Sequence, residues 1–245
     1  MSEIPAGAMR FNSDSQKLEY WNGSAWFQVH TTTPDLASAG DPTPGPRGLI
    51  GGGGFNVPTT TYRDSIEYVN ISSTGDAKEF GELQVARQID ASFSSPTRGF
   101  FAGGASGSGP DYEASTNGRI IEFVITSSLG DTTDFGDLIN GTFGKHGSSN
   151  SIRGIIGGGY PSVKHVEYIT MATLGNANDF GDTITSHYYG AAASNSTRSI
   201  IGGGEGPTDT IEYVATAQKG NGVDFGNLTQ SRANLKGISN GNGGL

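Results

Sequence analysis

The chain contains no cysteine, which excludes disulfides, a thiolate nucleophile and cysteine-ligated zinc. Basic residues are scarce: 15 Lys and Arg stand against 24 Asp and Glu, for a formal net charge of −9. No Lys/Arg run occurs, so the clustered cations that a nucleic-acid phosphate backbone requires are missing. Long apolar runs are also lacking, and no segment is fit to cross a bilayer as a helix. Met1-Ser-Glu-Ile-Pro-Ala-Gly-Ala-Met has neither a basic nor an apolar stretch, so no secretory signal is expected. The Asn-x-Ser/Thr sequences at Asn22, Asn70, Asn140, Asn195 and Asn227 then read as turn chemistry rather than glycan acceptors. No window carries a helical period.

Glycine is what the chain has in quantity, 40 of 245 residues, and it falls at fixed places in a repeat. Four phrases open the repeats: Arg47-Gly-Leu-Ile-Gly-Gly-Gly, Arg98-Gly-Phe-Phe-Ala-Gly-Gly, Arg153-Gly-Ile-Ile-Gly-Gly-Gly and Arg198-Ser-Ile-Ile-Gly-Gly-Gly. Each leads to an aromatic strand: Ile66-Glu-Tyr-Val, Ile121-Glu-Phe-Val, Val166-Glu-Tyr-Ile or Ile211-Glu-Tyr-Val. Each closes on an acidic Phe-Gly phrase whose aromatic is Phe80, Phe135, Phe180 or Phe225, spaced 55, 45 and 45 residues apart. Short strands and glycine turns at such a period predict the blades of a β-propeller, four strands to a blade. The glycine runs permit close backbone approach and positive φ; Gly51–Gly54 lacks the Gly-Lys-Ser/Thr of a phosphate cradle.

The termini suggest how a ring would close. Met9-Arg-Phe-Asn, Leu18-Glu-Tyr-Trp and Ala25-Trp-Phe-Gln-Val resemble second, third and fourth blade strands, while the stretch from Arg232 aligns with that from Arg87. The expected fold is an all-β, five-bladed propeller in a single domain over residues 1–245. Its repeats run at about 31–83, 84–138, 139–183 and 184–228, with a composite blade joining 9–30 to 232–245. Such a blade pairs strand edges that would otherwise stay open. Four blades with a separate N-terminal hairpin is the alternative.

The Gly-Gly run followed by an aromatic strand resembles kelch-type propellers, with Phe80, Phe135, Phe180 and Phe225 where kelch repeats carry tryptophan. Ile-Glu-Tyr-Val phrases followed by Gly-Asn-Ala-x-Asp-Phe-Gly-Asp, as in Val166–Asp182, more closely resemble repeat-containing virion proteins of marine tailed phages, notably those of cyanobacteria. Arg10-Phe-Asn-Ser-Asp-Ser-Gln-Lys-Leu-Glu-Tyr-Trp-Asn-Gly-Ser-Ala-Trp is similar to a hairpin of phage tail and fibre proteins. The resemblance covers nearly the whole chain. It implies a virion component assembled in the host cytoplasm, present in several copies and touching other virion proteins.

Candidate chemistry is sparse. Asp-Phe-Gly at Asp134, Asp179 and Asp224 recurs without the partners of a kinase magnesium site. Carboxylates every third residue, Asp131/Asp134/Asp137 and Asp179/Asp182, are the calcium candidates, with Asp76/Glu79/Glu82 similar; capping of their own turns is the favoured reading, and no cofactor is expected. The recurrent Arg47, Arg98, Arg153 and Arg198 read as structural partners of Glu67, Glu122, Glu167 and Glu212. The four histidines share no repeat position, no catalytic triad can be assembled, and no enzymatic activity is expected.

Binding residues belong where repeats differ. His187, Tyr188 and Tyr189 replace small or polar residues, while Phe55 and Tyr112 sit in insertions; these five are the candidate ligand-binding residues, suited to stacking on sugars. Trp21, Trp26 and Phe27 are candidates for docking to other virion proteins. The expected function is an exterior tail-fibre or adhesin component that binds the host surface through a glycan or receptor. It is expected neither to bind nucleic acid nor to insert in a membrane. A capsid, neck or tail decoration protein, or a kelch-like interaction module of a cell, are the alternatives.

Overall fold

The computed structural model describes residues 5, 7–12, 17–28, 46–55, 61–106, 116–206 and 208–239. The fold is all-β, and the chain divides into two compact units, Met1–Gly45 and Pro46–Leu245. In the first unit β1 (Met9–Asn12), β2 (Lys17–Trp21) and β3 (Trp26–Gln28) form an antiparallel sheet in chain order. Its register puts Met9, Phe11, Leu18, Tyr20 and Phe27 on one face, and each of them is 38–66% exposed. The other face is polar and aromatic: Arg10 bridges to Glu19 at 2.9 Å and lies 4.2 Å over the Trp26 ring, which packs on Trp21. Bonds from Asn12 and then Arg10 hold the Glu19 carboxyl below its ordinary range.

The second unit contains four repeat sheets. The first comprises β4 (Arg47–Gly51), β7 (Ser65–Asn70) and β8 (Lys78–Glu82), with the small hairpin β5 (Gly54–Phe55) and β6 (Thr61–Tyr62) between β4 and β7. The second is β9 (Ala91–Ser94), β10 (Arg98–Ala102), β11 (Ile120–Ile125) and β12 (Thr133–Asp137). The third is β13 (His146–Ser149), β14 (Arg153–Gly157), β15 (His165–Thr170) and β16 (Asn178–Asp182). The fourth is β17 (Ala191–Ser194), β18 (Arg198–Gly202), β19 (Thr210–Ala215) and β20 (Val223–Asn227). All pairs are antiparallel, between chain neighbours except where β4 pairs with β7 across the small hairpin. The expected strand within 232–245 is not formed over 232–239, and 240–245 lie outside the described residues.

The Asp-Phe-Gly phrase is a β-bulge. Register shifts at Ile121/Glu122, Val166/Glu167 and Ile211/Glu212 leave Phe135, Phe180 and Phe225 as the extra residue on the fourth strand. Phe135 and Phe180 are thereby turned inward, 3% and 2% exposed. The glycine that follows serves two needs. Gly136 has φ +142°, and a Cβ there would stand 2.6 Å from the Gly175 backbone of the next sheet.

That close approach lets the last strand of each of the first three sheets bond the next sheet's turn. Gly130, Gly175 and Gly220 N–H groups donate to the carbonyls of Phe80, Phe135 and Phe180, each at 2.9 Å. Hydroxyls link the first strands of the second, third and fourth sheets and the segment that follows them: Ser149 donates to the Ser94 carbonyl (2.8 Å), Ser194 to Ser149 (2.6 Å) and Ser239 to Ser194 (2.6 Å). Apolar layers fill the spaces between sheets. The largest joins the second and third through Phe93, Phe100, Phe123, Phe135, Ile156 and Ile169. Its stacked and T-shaped ring pairs, such as Phe93–Phe100 at 5.2 Å, contribute about 0.5–1.5 kcal/mol each beyond burial.

Candidate functional site

The recurrent charges hold the frame together, with partners other than those the repeat suggests. Arg47, Arg98, Arg153 and Arg198 do not meet the recurrent glutamates. Their guanidinium groups lie over Tyr68, Phe123, Tyr168 and Tyr213 of their own sheets at 4.6–4.8 Å. The first three also donate to the next sheet, at the carbonyls of Thr126, Met171 and Thr216. Glu122, Glu167 and Glu212, each fully buried, take their partners from the loops entering the first strands: Arg87, Lys145 and His187. His187 is thus no surface ligand. Its Nδ1 meets the Gly203 carbonyl at 2.6 Å, its Nε2 meets Glu212 at 3.0 Å, and it is 0% exposed. Burial raises the Glu212 carboxyl pKa, but bonds from His187, Ile184 N–H and Thr185 N–H outweigh it and leave the group below its usual range.

The acidic turns bond outward rather than capping themselves. Asp131 accepts from Glu82 N–H at 3.0 Å, and its counterparts Asn176 and Asn221 accept from Asp137 and Asp182 N–H. Asp134, Asp137, Asp179 and Asp182 are exposed, with His165 3.5 Å from Asp179. Among the described residues no group of three His, Asp or Glu side chains is gathered closely enough to hold a metal ion.

A different feature stands where the first strands begin and the second strands finish. Beyond the regular ladders, isolated bridges pair Gln88 with Ala105, Phe143 with Tyr160 and Tyr188 with Glu205. The second sheet thus carries Gln and Ala at this position, and the third and fourth carry aromatics. The rings meet across the two sheets: Phe143–Tyr160 at 5.1 Å, Tyr160–Tyr188 at 5.5 Å, Tyr188–Tyr189 at 5.3 Å and Tyr189–Phe143 at 6.2 Å. Tyr160 is 37% exposed, and the other three rings are half-buried. The Tyr188 hydroxyl donates to the exposed Glu205 carboxylate; that bond, with lesser help from burial, pushes the phenol pKa up to about 12.

Tyr189 holds a backbone conformation unsuited to its side chain. Its φ is +54°, and the equivalent positions in neighbouring repeats are Gly144 (φ +74°) and Asn234 (φ +57°). Glycine and asparagine accept the left-handed region, whereas a bulky residue there is strained and marks a place worth functional attention.

Beneath the rings lies a buried polar layer. Asp90 accepts from the backbone of Gly144 and Lys145, yet burial pushes its carboxyl pKa up to about 6. Burial first, then the charges of His187 and Lys145, pull His146 down to about 3. A cleft of about 580 Å³ runs along β9, β13, β17 and residues 237–239, lined by small residues such as Ser92, Gly147, Ala192 and Gly237.

Of the sequence-nominated binding residues, Tyr188 and Tyr189 belong to the aromatic group; Phe55 stands in β5, and Tyr112 lies outside the described residues. Phe143, Tyr160 and Glu205 were not nominated; they join the group only through the register of the third and fourth sheets. Trp21 and Trp26 lie on the polar face of the N-terminal sheet, and only Phe27 shares its exposed apolar face. No protein-family model and no curated protein matches the chain.

Proposed function

We propose that this is a non-enzymatic virion protein of a tailed phage, displayed on the particle exterior, that holds host-surface saccharide on Phe143, Tyr160, Tyr188 and Tyr189. The virion assignment rests on the repeat phrases. The binding assignment rests on one observation: four rings from two sheets gather at a single end, at the repeat position where the second sheet has Gln88 and Ala105. Partly exposed tyrosines beside a carboxylate offer both a stacking face for sugar C–H groups and acceptors for hydroxyls. Several copies on one particle would raise a weak single-site affinity by avidity. The test is binding of labelled protein to host cells with extracted surface polysaccharide as competitor. Saturable, competed binding that Tyr160→Ala removes supports the reading; unchanged binding by that variant ends it.

The same proposal includes a closed five-bladed propeller whose fifth blade combines the N-terminal strands with the chain end. The fourth sheet supports it by what it leaves uncovered. Phe225 is 53% exposed where Phe80, Phe135 and Phe180 are at most 3% exposed. Ser239 meanwhile occupies the next rung of the serine ladder after Ser194. A decoration role draws on another observation, the apolar face of Met9, Phe11, Leu18, Tyr20 and Phe27, which suits contact with another virion protein.

A further inference from the structure

Resting on the saccharide-binding reading, we infer that the aromatic group selects sugars carrying a free amine, with the ammonium seated at Glu205. The argument is one of charge. Glu205 is exposed, pairs with Tyr188 in an isolated bridge, and accepts the Tyr188 hydroxyl on one oxygen, Oε2. Among the described residues it makes no salt bridge, and no cation lies over Tyr160 or Tyr188. The leading charge effects on the Tyr188 phenol come from Glu205, then Tyr160 and Tyr189, and all favour its neutral form.

An anionic saccharide, a uronate or a sialoside, would bring its carboxylate against Glu205, whose own charge no described Lys or Arg pairs in a salt bridge. The chain as a whole, at net charge −9, adds to that repulsion. A protonated amino sugar meets the opposite situation. Its ring stacks on Tyr160, its ammonium approaches both an aromatic face and a carboxylate, and neither interaction requires the protein to change its own pairing. Glu205 lies at a repeat position held by Ala105 in the second sheet and Tyr160 in the third, so the frame does not demand a carboxylate there.

The test titrates the full chain with three soluble oligomers of equal length: glucosamine, N-acetylglucosamine and galacturonate. The expected order is glucosamine first, by a factor on the order of ten over its acetylated form, with galacturonate unbound. Glu205→Gln keeps an acceptor for Tyr188 and should erase the preference for the amine. Equal binding of amine and amide, unchanged by Glu205→Gln but lost in Tyr160→Ala, overturns the charge selection and leaves the saccharide reading standing. Absence of binding to every oligomer, with host-cell attachment indifferent to Tyr160→Ala, overturns both.

Discussion

The Arg87 guanidinium is paired with the Glu122 carboxylate, and both side chains are fully removed from water. Arg87 also bonds the Gly103 carbonyl at 3.0 Å, while Glu122 takes Gln84 N–H at 2.9 Å, so the pair ties the entry loop to β11. Removing one partner leaves a buried charge without its counterion. Arg87→Met is expected to cost about 3–5 kcal/mol in chemical denaturation. Adding Glu122→Leu should recover a large part of that loss; failure to recover would mean that packing rather than charge dominates.

Phe135 and Phe225 hold the same place in the repeat, yet one is 3% and the other 53% exposed. Phe135→Ala should cost about 3–5 kcal/mol, as for a fully packed aromatic. The closed-ring proposal expects Phe225→Ala to cost more than about 2 kcal/mol, because a fifth sheet would cover it. An exposed surface aromatic would instead lose no more than about 0.5 kcal/mol. Denaturation of the two variants side by side decides.

The repeat frame was legible because period and turn chemistry are local. Arg-Gly-hydrophobic, Glu-aromatic and Phe-Gly phrases recur in one order, 45 to 55 residues apart, and each became a strand. Partner identity was not legible. Glu122, Glu167 and Glu212 draw their partners from variable loop positions, Arg87, Lys145 and His187, which no repeat phrase contains. The Asp-Phe-Gly phrase gave no sign of a bulge, since a bulge exists only in the pairing of two strands. Tyr188 and Tyr189 stood out as departures from the repeat, but His187 beside them turns inward to Glu212. Tyr160 lies 28 residues from Tyr188 and joins it only through two sheets' registers.

Two buried groups oppose one another in their dependence on pH. His146 is held neutral in the fold, down to about 3 against an ordinary 6.5, so the unfolded chain binds its proton first. Its contribution is complete above pH 6.5 and fades as pH falls toward 3. Asp90, raised to about 6 from 3.8, does the reverse: its contribution is complete below 3.8 and fades as pH rises toward 6. Each slope is at most about 1.4 kcal/mol per pH unit. Between pH 4 and 6 the contributions of these two groups cancel each other. Asp90→Asn is expected to make stability rise with pH across that window, and His146→Leu to make it fall. Equal slopes in both variants would contradict the assignment.

Tyr189 separates binding from folding. At φ +54° a tyrosine is strained by about 1–3 kcal/mol, and the equivalent residues Gly144 and Asn234 show what the backbone prefers. Its ring contacts with Tyr188 and Phe143 offset part of that strain. Tyr189→Asn relieves the backbone and removes the ring, so the two effects oppose and stability should change by less than about 1 kcal/mol. Saccharide affinity should nevertheless fall severalfold, because one of the four rings is gone. A Tm lowered as far as by Phe135→Ala, with affinity intact, would make Tyr189 a packing residue. Preserved stability with weakened binding would mean that a strained tyrosine is retained for its surface.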